Sequence, residues 1–496
     1  MTRCQNSCDP RKLILAFSHR CWRRVHYIPR DHQVIGIYVQ NVGMRWMALD
    51  LQMLLLSIVQ YGLVLWLSYV IWNALRRLCG GPSLNNIPGP PPESFLAGNL
   101  ARLHGPDSWD FHKTLEEDFN GVVKIHGLLR DLQLYVFDPT ALHSILVKDQ
   151  NLYEESSIFL SEDSIDQYAQ SLKKTSPILK LAVFLPIAPL ASKIGSPSFR
   201  RFLLSLIPSK TLAALRRIVT VMDRKTAALV HVKSQQIRQH GAEAMENSND
   251  IMSLLLKSNR TAEADMKFMD AELVAQTSMI VHAGMDTTSS ALNRIIHTLA
   301  VHSDVQAKLR AEIMKTRETL NHDELMELPY LDGVVRETLR FVCGARYPPR
   351  HSDDQNDCVL PLSTPITGTD GRHLDTIAVP KGTDVYIAIA AANHNKAIWG
   401  PDALEFKPER WRNGRAEGVT VRMSGVYGNT MTFVGGSRSC IGFKFVQLEL
   451  KVVLSVLLRC YRFSVASDRI RWKMGSPASP TVDNRPLLPI VVHRIE

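Results

Sequence analysis

One cysteine stands in a stretch whose residue types suit metal ligation. Residues 433–442 read Phe-Val-Gly-Gly-Ser-Arg-Ser-Cys-Ile-Gly, and the cysteine is Cys440. The apolar run over residues 443–458 predicts a buried helix, which places the sulfur near a helix N-terminus. Backbone N–H groups and the helix dipole favour an anion there, lower a thiol's pKa and suit the thiolate to metal binding. Gly436 permits a tight bend, and Gly442 allows the helix to approach a bulky group.

A second stretch places an acid beside a hydroxyl inside an apolar helix, predicted over residues 270–300. Residues 283–288 read Ala-Gly-Met-Asp-Thr-Thr. Glycine and two threonines cost helix propensity, so they indicate either a local purpose or a helix kink with satisfied hydroxyls. Neighbouring acid and hydroxyl groups on one turn can relay protons through ordered water into an apolar pocket. We assign the hydroxyl role to Thr287 and the acid role to Asp286.

A third pattern pairs charges of opposite sign. Glu337 and Arg340 share one face of a helix predicted over residues 332–341. An exposed ion pair is the default interpretation, and such a pair stabilises a fold little. A Pro-Glu-Arg segment ending at Arg410 follows, shortly before the cysteine stretch.

The pattern Phe-x-x-Gly-x-Arg-x-Cys-x-Gly resembles the haem-ligand signature of the cytochrome P450 monooxygenases, and all of its fixed positions match. A buried structural cysteine in a glycine turn is the alternative for the loop alone. The resemblance implies that Cys440 is the axial thiolate of haem iron and that Arg438 pairs with a haem propionate. It also implies that Phe433 packs beside the ligand loop, while Gly436 and Gly442 belong to the same cofactor-binding signature. Thiolate ligation pushes electron density onto iron and favours O–O cleavage.

The resemblance extends to the other two patterns. Residues 283–288 are similar to the family's Ala/Gly-Gly-x-Asp/Glu-Thr-Thr, in which small residues leave room for bound oxygen near the threonine. The charged residues resemble the family's Glu-x-x-Arg helix and its Pro-Glu-Arg partner, which implies a buried cluster of Glu337, Arg340 and Arg410 behind the ligand loop. Breaking such a cluster would leave a charge without a partner. Arg350 is assigned as a second propionate contact, with Arg346 as its rival.

The elements that must position these residues indicate a mainly α fold with a small β-sheet region, as in cytochrome P450. Residues 122–125 and 132–137 read as strands, and residues 359–362, 377–381 and 385–390 as further strands of the same small sheet. Helical patterns fill most of the chain after Leu160. They include residues 164–174, 199–206, 212–237 and 250–258.

The N-terminal part divides into three predicted segments ahead of a catalytic domain over residues 93–496. Residues 1–46 are rich in arginine and poor in acids, as in a transit peptide, but we prefer a poorly structured extension or an upstream start. Residues 51–75 contain no charged residue and predict one transmembrane helix. Residues 76–92 form a basic, proline-rich hinge. Flanking charge leaves the orientation open, and resemblance to microsomal members implies a single-pass protein of the endoplasmic reticulum membrane with a cytosolic catalytic domain.

The amino-acid composition limits the classes of binding partner that the chain is expected to have. The net charge is +10, but lysines and arginines are scattered and no nucleic-acid motif is present, so a membrane or acidic protein partner is favoured. The eight cysteines show neither disulfide density nor zinc spacing, which fits a reducing compartment.

One expected region is missing. The chain has no tryptophan between Trp109 and Trp399, whereas family members carry there a helix whose Trp and Arg contact the propionates. We interpret this as an internal deletion after Leu160, natural or in the gene model, or as a cofactor held differently.

The resemblance, closest to fungal members, therefore implies a haem-thiolate monooxygenase that hydroxylates or epoxidises a small hydrophobic substrate. The setting would be secondary metabolism, for example of terpenoids, or the oxidation of foreign compounds. Electrons would come from NADPH through a separate flavoprotein reductase, because no dinucleotide motif is present. The alternatives are a haem-thiolate isomerase, lyase or dehydratase, which needs no proton relay, and a catalytically impaired, membrane-tethered remnant.

Overall fold

The computed structural model describes most of the chain after residue 83. The described residues are 84–155, 195–206, 210–246, 250–263, 266–342, 350–352, 357–412, 415–416, 419, 421–475 and 477–495, with 60–62, 64 and 68 nearer the N-terminus. Contacts divide the chain into two compact units, Met1–Gly80 and Gly81–Glu496. In this described part, no helix has both the length and the apolar character to cross a membrane. The predicted anchor, 51–75, lies outside the described residues except for five positions, and the predicted segment boundaries stay predictions.

Helices make up most of the second unit. In chain order the described residues form α1 Leu100–His104, α2 Trp109–Asp118, α3 Pro139–His143, α4 Pro197–Leu206, α5 Lys210–Glu246, α6 Ile251–Thr261, α7 Asp270–Val301, α8 Ser303–Met314, α9 His322–Met326, α10 Pro329–Val342, α11 Ile389–His394, α12 Lys396–Trp399 and α13 Phe443–Cys460. The helices predicted from residues 270 and 443 begin where expected and extend one or two residues further. The helix predicted over 164–174 lies outside the described residues.

Strands form small sheets beside the helices. They are β1 Val122–His126, β2 Leu132–Val136, β3 Tyr153–Glu155, β4 Arg350–Ser352, β5 Cys358–Thr367, β6 His373–Val379, β7 Asp384–Ile387, β8 Trp411–Arg412, β9 Arg415–Ala416, β10 Tyr461–Val465, β11 Arg471–Lys473, β12 Ser479–Val482, β13 Arg485–Pro486 and β14 Ile490–Arg494. The largest sheet has five strands in the order β1-β2-β7-β4-β3. Strands β2 and β7 are parallel, and the other pairs of this sheet are antiparallel.

The prediction of one sheet for all the early and late strands is wrong. Strand β7 joins the five-stranded sheet, but β5 and β6 pair as a separate antiparallel hairpin. The side chain of Asp138 accepts hydrogen bonds from the N–H groups of Thr140 and Ala141 and so caps α3. The same carboxylate accepts the Ser363 N–H of β5 at 3.0 Å. The hairpin is therefore tied to a helix N-terminus at this point.

The residues that lead into the cysteine loop belong to two apolar cores. One joins the five-stranded sheet to the β5–β6 hairpin, and includes Val434 of the loop. The other is helical and contains Ile295 of α7, Val334 of α10 and Leu450 of α13. Phe433 belongs to this second core. Adjacent residues of the loop are thus buried in different cores, which fixes the backbone just ahead of Cys440.

Candidate active site

The cysteine loop is held by backbone contacts. Cys440 lies between a 3₁₀ turn, Gly436–Arg438, and the start of α13. Its N–H donates to the Phe433 carbonyl at 2.9 Å. Gly436 has φ +73°, and a Cβ atom there would lie 1.7 Å from the Leu146 carbonyl oxygen. Only glycine fits such a close approach, so the sequence expectation of a tight bend at Gly436 agrees with the structure.

The Cys440 side chain is exposed in the polypeptide, although its sulfur is partly desolvated by neighbouring atoms. Burial raises the pKa of the Cys440 thiol, and the backbone N–H of Gly442 lowers it by a smaller amount. The direction is opposite to that expected from the helix N-terminus, because one donor does not outweigh desolvation. A metal ion bound to the sulfur would stabilise the Cys440 thiolate, since coordination deprotonates a thiol outright.

Phe433 lies under the loop rather than at the surface. Its exposed fraction is 8%, and its ring centroid is 5.7 Å from that of Tyr427 and 6.3 Å from that of Phe443. Aromatic pairs at these separations stabilise a fold beyond their buried area. Because Phe433 also accepts the Cys440 N–H, the position of this ring and the position of the sulfur are linked.

The charged residues predicted to cluster are brought together and are buried. Arg340 donates from Nη2 and Nε to the two carboxylate oxygens of Glu337, at 2.8 and 2.9 Å. Arg410 Nε lies 3.4 Å from Glu337 Oε1. The exposed fractions of Glu337, Arg340 and Arg410 are 0%, 1% and 5%. The default interpretation of an exposed pair therefore does not hold.

Two further members of this cluster were missed in the sequence. Trp411 donates from Nε1 to Glu337 Oε2 at 2.8 Å, and Asp402 accepts from Arg410 Nη1 at 2.8 Å. The hydrogen bond from Arg410, with a second from Lys407, lowers the pKa of Asp402 to about 2. Trp411 directly follows the Pro-Glu-Arg segment, so its position in the sequence could have indicated that it belongs to the cluster. Asp402 belongs to no pattern that spacing alone would reveal.

Helix α7 holds the predicted acid and hydroxyl residues. Thr287 Oγ1 donates to the Ala283 carbonyl at 2.6 Å, so this hydroxyl is bonded to its own helix, as the alternative interpretation expected. Thr287 is exposed and Asp286 is half-buried. In contrast, the Thr288 hydroxyl is buried and has no hydrogen-bond partner among the described residues. A Cβ atom at Gly284 would meet nothing within 4 Å, so open space adjoins this turn.

Two predicted propionate contacts line one cavity. Arg350, with an exposed fraction of 4%, and Arg438 face a cavity of about 230 Å³. The remaining lining residues are Ile145, Leu146, Gln150, Asn151, Tyr153 and Ser437. Two guanidinium groups at one cavity match the geometry and charge of carboxylates. Arg346, the rival of Arg350, lies outside the described residues.

These features fit a haem group. The Cβ of a residue at position 442 would come no closer than 4.0 Å to Cys440 Sγ, so protein atoms alone do not require glycine beside the sulfur. Space therefore adjoins both the cysteine loop and the Gly284 turn of α7. A soft sulfur donor and two arginines at a nearby cavity are the donor set for a metal-bearing group with two carboxylates.

The comparisons with known proteins identify the family of this chain. The family model described as Cytochrome P450 matches residues 190–482. The chain therefore belongs to the cytochrome P450 family, and is a monooxygenase whose cofactor is thiolate-ligated haem with electrons supplied by a reductase.

Several curated relatives of this chain are fungal. Cytochrome P450 monooxygenase 91 of Postia placenta is 36% identical over 89% of this chain and 100% of its own length. Ganoderic acid synthetase CYP5150L8 of Ganoderma lucidum is 32% identical over 86% of this chain and 97% of its own. The solved structure of retinoic acid-bound cyanobacterial CYP120A1 superposes with a TM-score of 0.57 at 20% identity, covering 82% of this chain and 100% of that one, which shows the shared fold.

The relatives are longer within the matched region. The alignment with the Postia protein has 543 positions but takes in 89% of the 496 residues, about 441 of them. About 102 positions therefore have no counterpart in this chain. The deletion predicted after Leu160 falls within residues 156–194, which lie outside the described residues, and its place stays a prediction.

We expect Arg350→Met to weaken haem retention by about tenfold or more. The haem propionate assigned to Arg350 would keep its negative charge but lose the buried guanidinium that compensates it. The measurement is haem absorbance per protein after gel filtration. Arg372→Met is the matched control, since the Arg372 side chain is 84% exposed just before β6. Equal haem retention in the two variants would remove Arg350 from the cofactor site.

Proposed function

We propose that this chain oxidises a small hydrophobic compound of the terpenoid class in fungal secondary metabolism, with haem ligated by Cys440. The observation that carries the proposal is the Cys440 loop beside the cavity lined by Arg350 and Arg438, in a chain whose relatives are fungal P450 monooxygenases. Arg350 and Arg438 would neutralise the two propionates. The buried Glu337 cluster would hold the loop.

When bound, haem would supply the activation of molecular oxygen, and the chain would control protons and water. Thr287 is the group that would donate a proton on the open side of α7. To do so its hydroxyl must turn away from the Ala283 carbonyl, to which it donates in the structure. Asp286 is half-buried and so would exchange protons with water. Ordered water between these groups would complete the relay.

The substrate class follows from apolar surface near the relay and from the relatives. Met279, 45% exposed, lies two helical turns before Thr287 on the same face of α7. An apolar surface there suits a hydrophobic substrate. The Ganoderma relative is named for ganoderic acid synthesis, and another relative is the monooxygenase eriI of Hericium erinaceus. On the basis of these two relatives, we propose a role in secondary metabolism for this chain as well.

The partners and the location belong to the same proposal. Electrons would come from NADPH through a flavoprotein reductase, whose acidic face would suit a chain of net charge +10. Residues 51–75 would anchor the protein in the endoplasmic reticulum membrane with the catalytic domain in the cytosol. The apolar composition of that segment supports the anchor.

The test is a spectrum followed by a turnover assay. Full-length protein in microsomes should give the red-shifted absorption band of thiolate-ligated haem when reduced under carbon monoxide. With a fungal reductase and NADPH, terpenoid mixtures should yield products carrying one added oxygen atom, identified by mass and by labelled oxygen gas. Absence of the band would defeat the proposal. Products without added oxygen would instead assign the chain to the isomerase, lyase or dehydratase class.

A specific observation also favours an impaired chain as a second candidate. Phe445, Val452 and Val456 are 54%, 42% and 59% exposed and follow one face of α13. Large apolar side chains on one face of a central helix normally pack against a neighbour. About 102 positions of the Postia relative have no counterpart here, and they would include such a neighbour. Weak haem loading that improves when the relative's extra segment is inserted would favour this candidate.

We expect Thr287→Ala to lower product formed per NADPH by about a hundredfold, because proton delivery contributes on this scale, while the haem spectrum stays unchanged. Ser289→Ala is the matched control. Its hydroxyl also donates to its own helix, at 2.6 Å to the Met285 carbonyl, and it has no assigned role. Unchanged turnover in Thr287→Ala would favour the class that needs no proton relay.

A further inference from the structure

A second buried ion cluster, distinct from the Glu337 cluster, lies between α10 and α13. It consists of Asp332, Arg336 and Lys451. Asp332 accepts from Lys451 Nζ at 2.9 Å and from Arg336 Nε at 2.5 Å. Lys451 is completely buried, and the side chains of Asp332 and Arg336 are 13% and 16% exposed. Lys451 also donates to the Met326 carbonyl at 2.9 Å. Its charge is therefore neutralised inside the helical core.

Lys451 belongs to the helix that begins at the cysteine loop. Helix α13 starts at Phe443, three residues after Cys440, and Lys451 lies about two turns further on. Asp332 belongs to the helix that also carries Glu337 and Arg340. The ion pair thus fixes α13 against α10 about two turns from the start of α13. Because helix backbones are stiff, a displacement at Lys451 would be transmitted to the first turn of α13.

The cluster also reaches the loop through aromatic rings. The Arg336 guanidinium lies 4.1 Å from the ring centroid of Tyr427, and the Tyr427 hydroxyl lies 3.5 Å from Asp332. Tyr427 in turn contacts the ring of Phe433, whose carbonyl accepts the Cys440 N–H. Two chains of contact, one through α13 and one through Tyr427 and Phe433, therefore connect Asp332 with the sulfur.

We propose that the Asp332–Lys451 pair is a positioning device for the Cys440 thiolate, in addition to the Glu337 cluster on the same helix. The proposal deepens the proposed function, because it rests on Cys440 being the haem ligand. Lys451 and Asp332 do not touch the cofactor and are positioning residues. Removing this pair should weaken the hold on the sulfur at the iron, while the chain still folds.

The test compares Asp332→Asn with the double variant Asp332→Asn/Lys451→Met. In the single variant Lys451 keeps its charge but loses its carboxylate partner while completely buried, so both the thermal midpoint and the thiolate band should fall. The double variant also removes the Lys451 charge and leaves only Arg336, which is 16% exposed and lies against the Tyr427 ring, so its thermal midpoint should recover. If the pair positions the sulfur, the double variant should still bind as much haem as the wild type. The fraction of that haem showing the red-shifted band should nevertheless stay roughly tenfold below the wild-type fraction.

Lys308→Met is the control, because Lys308 makes an equally short 2.9 Å ion pair with Glu409 but is 58% exposed. It should change neither the midpoint nor the band. If the band recovers with the midpoint in the double variant, the pair is only a fold-stabilising contact and the proposal is overturned. An unchanged band in Asp332→Asn also overturns it. A wild-type chain without the band defeats the proposed function instead, so the two failures are distinguishable.

Discussion

Arg340→Met is expected to yield no folded, haem-containing protein at ordinary temperatures. The Glu337 carboxylate would lose both of its hydrogen bonds from Arg340 while remaining completely buried. Removing one partner of a buried ion pair costs about 3–5 kcal/mol, a large share of the roughly 5–15 kcal/mol that stabilises a folded domain. The Asn393 and Ala403 carbonyls would also lose the donor that they share. Soluble yield, circular dichroism and haem absorbance measure the effect.

The matched control is Arg317→Met. Arg317 also pairs with a glutamate, Glu324, but the two side chains are 62% and 40% exposed. Exposed pairs contribute about 0–1 kcal/mol, so this variant should fold and bind haem as the wild type does. A folded Arg340→Met protein with the wild-type thermal midpoint would show that the buried cluster does not hold the structure together.

Cys440→Ser is expected to abolish both the thiolate band and oxygenation while leaving the fold intact. The Cys440 side chain is exposed in the polypeptide, so the substitution removes little packing. A serine hydroxyl stays protonated at neutral pH and is a poor replacement for a soft thiolate donor. The measurements are the reduced carbon monoxide spectrum, product formation and the thermal midpoint of the variant.

Cys460→Ser provides the comparison within the same helix. Cys460 is the last residue of α13 and is also an exposed free thiol. Its substitution should change none of the three measurements. Retention of the thiolate band by Cys440→Ser would assign the ligand to a different cysteine and overturn the site.

The sequence was most informative where chemistry depends on close spacing. The cysteine loop, the Asp286–Thr287 pair and the Glu337–Arg340 pair each occupy ten residues or fewer, so their relative placement follows from one turn or one helix. The direction of the Cys440 pKa shift was not accessible in this way. It depends on atoms packed around the sulfur, which a helix-dipole argument leaves out.

Contacts between distant residues could not be predicted. Asp332 and Lys451 are separated by more than one hundred positions, and neither stands in a pattern that marks it as paired. The division of the strands into separate sheets was missed for a similar reason. Alternation of apolar residues predicts strands, but it does not specify which strands pair, and Asp138 holds β5 through a side-chain contact.

The 1.7 Å separation between a Cβ atom at position 436 and the Leu146 carbonyl oxygen has a practical consequence for directed evolution. Any other residue at position 436 would push the loop away from the segment Ser144–Lys148 and from the cavity beside it. A mutant library should therefore keep Gly436 constant. Ser437 is exposed but lines that cavity, whereas Ser439 is half-buried and is not among the lining residues, so Ser439 is the better position at which to diversify the cysteine loop.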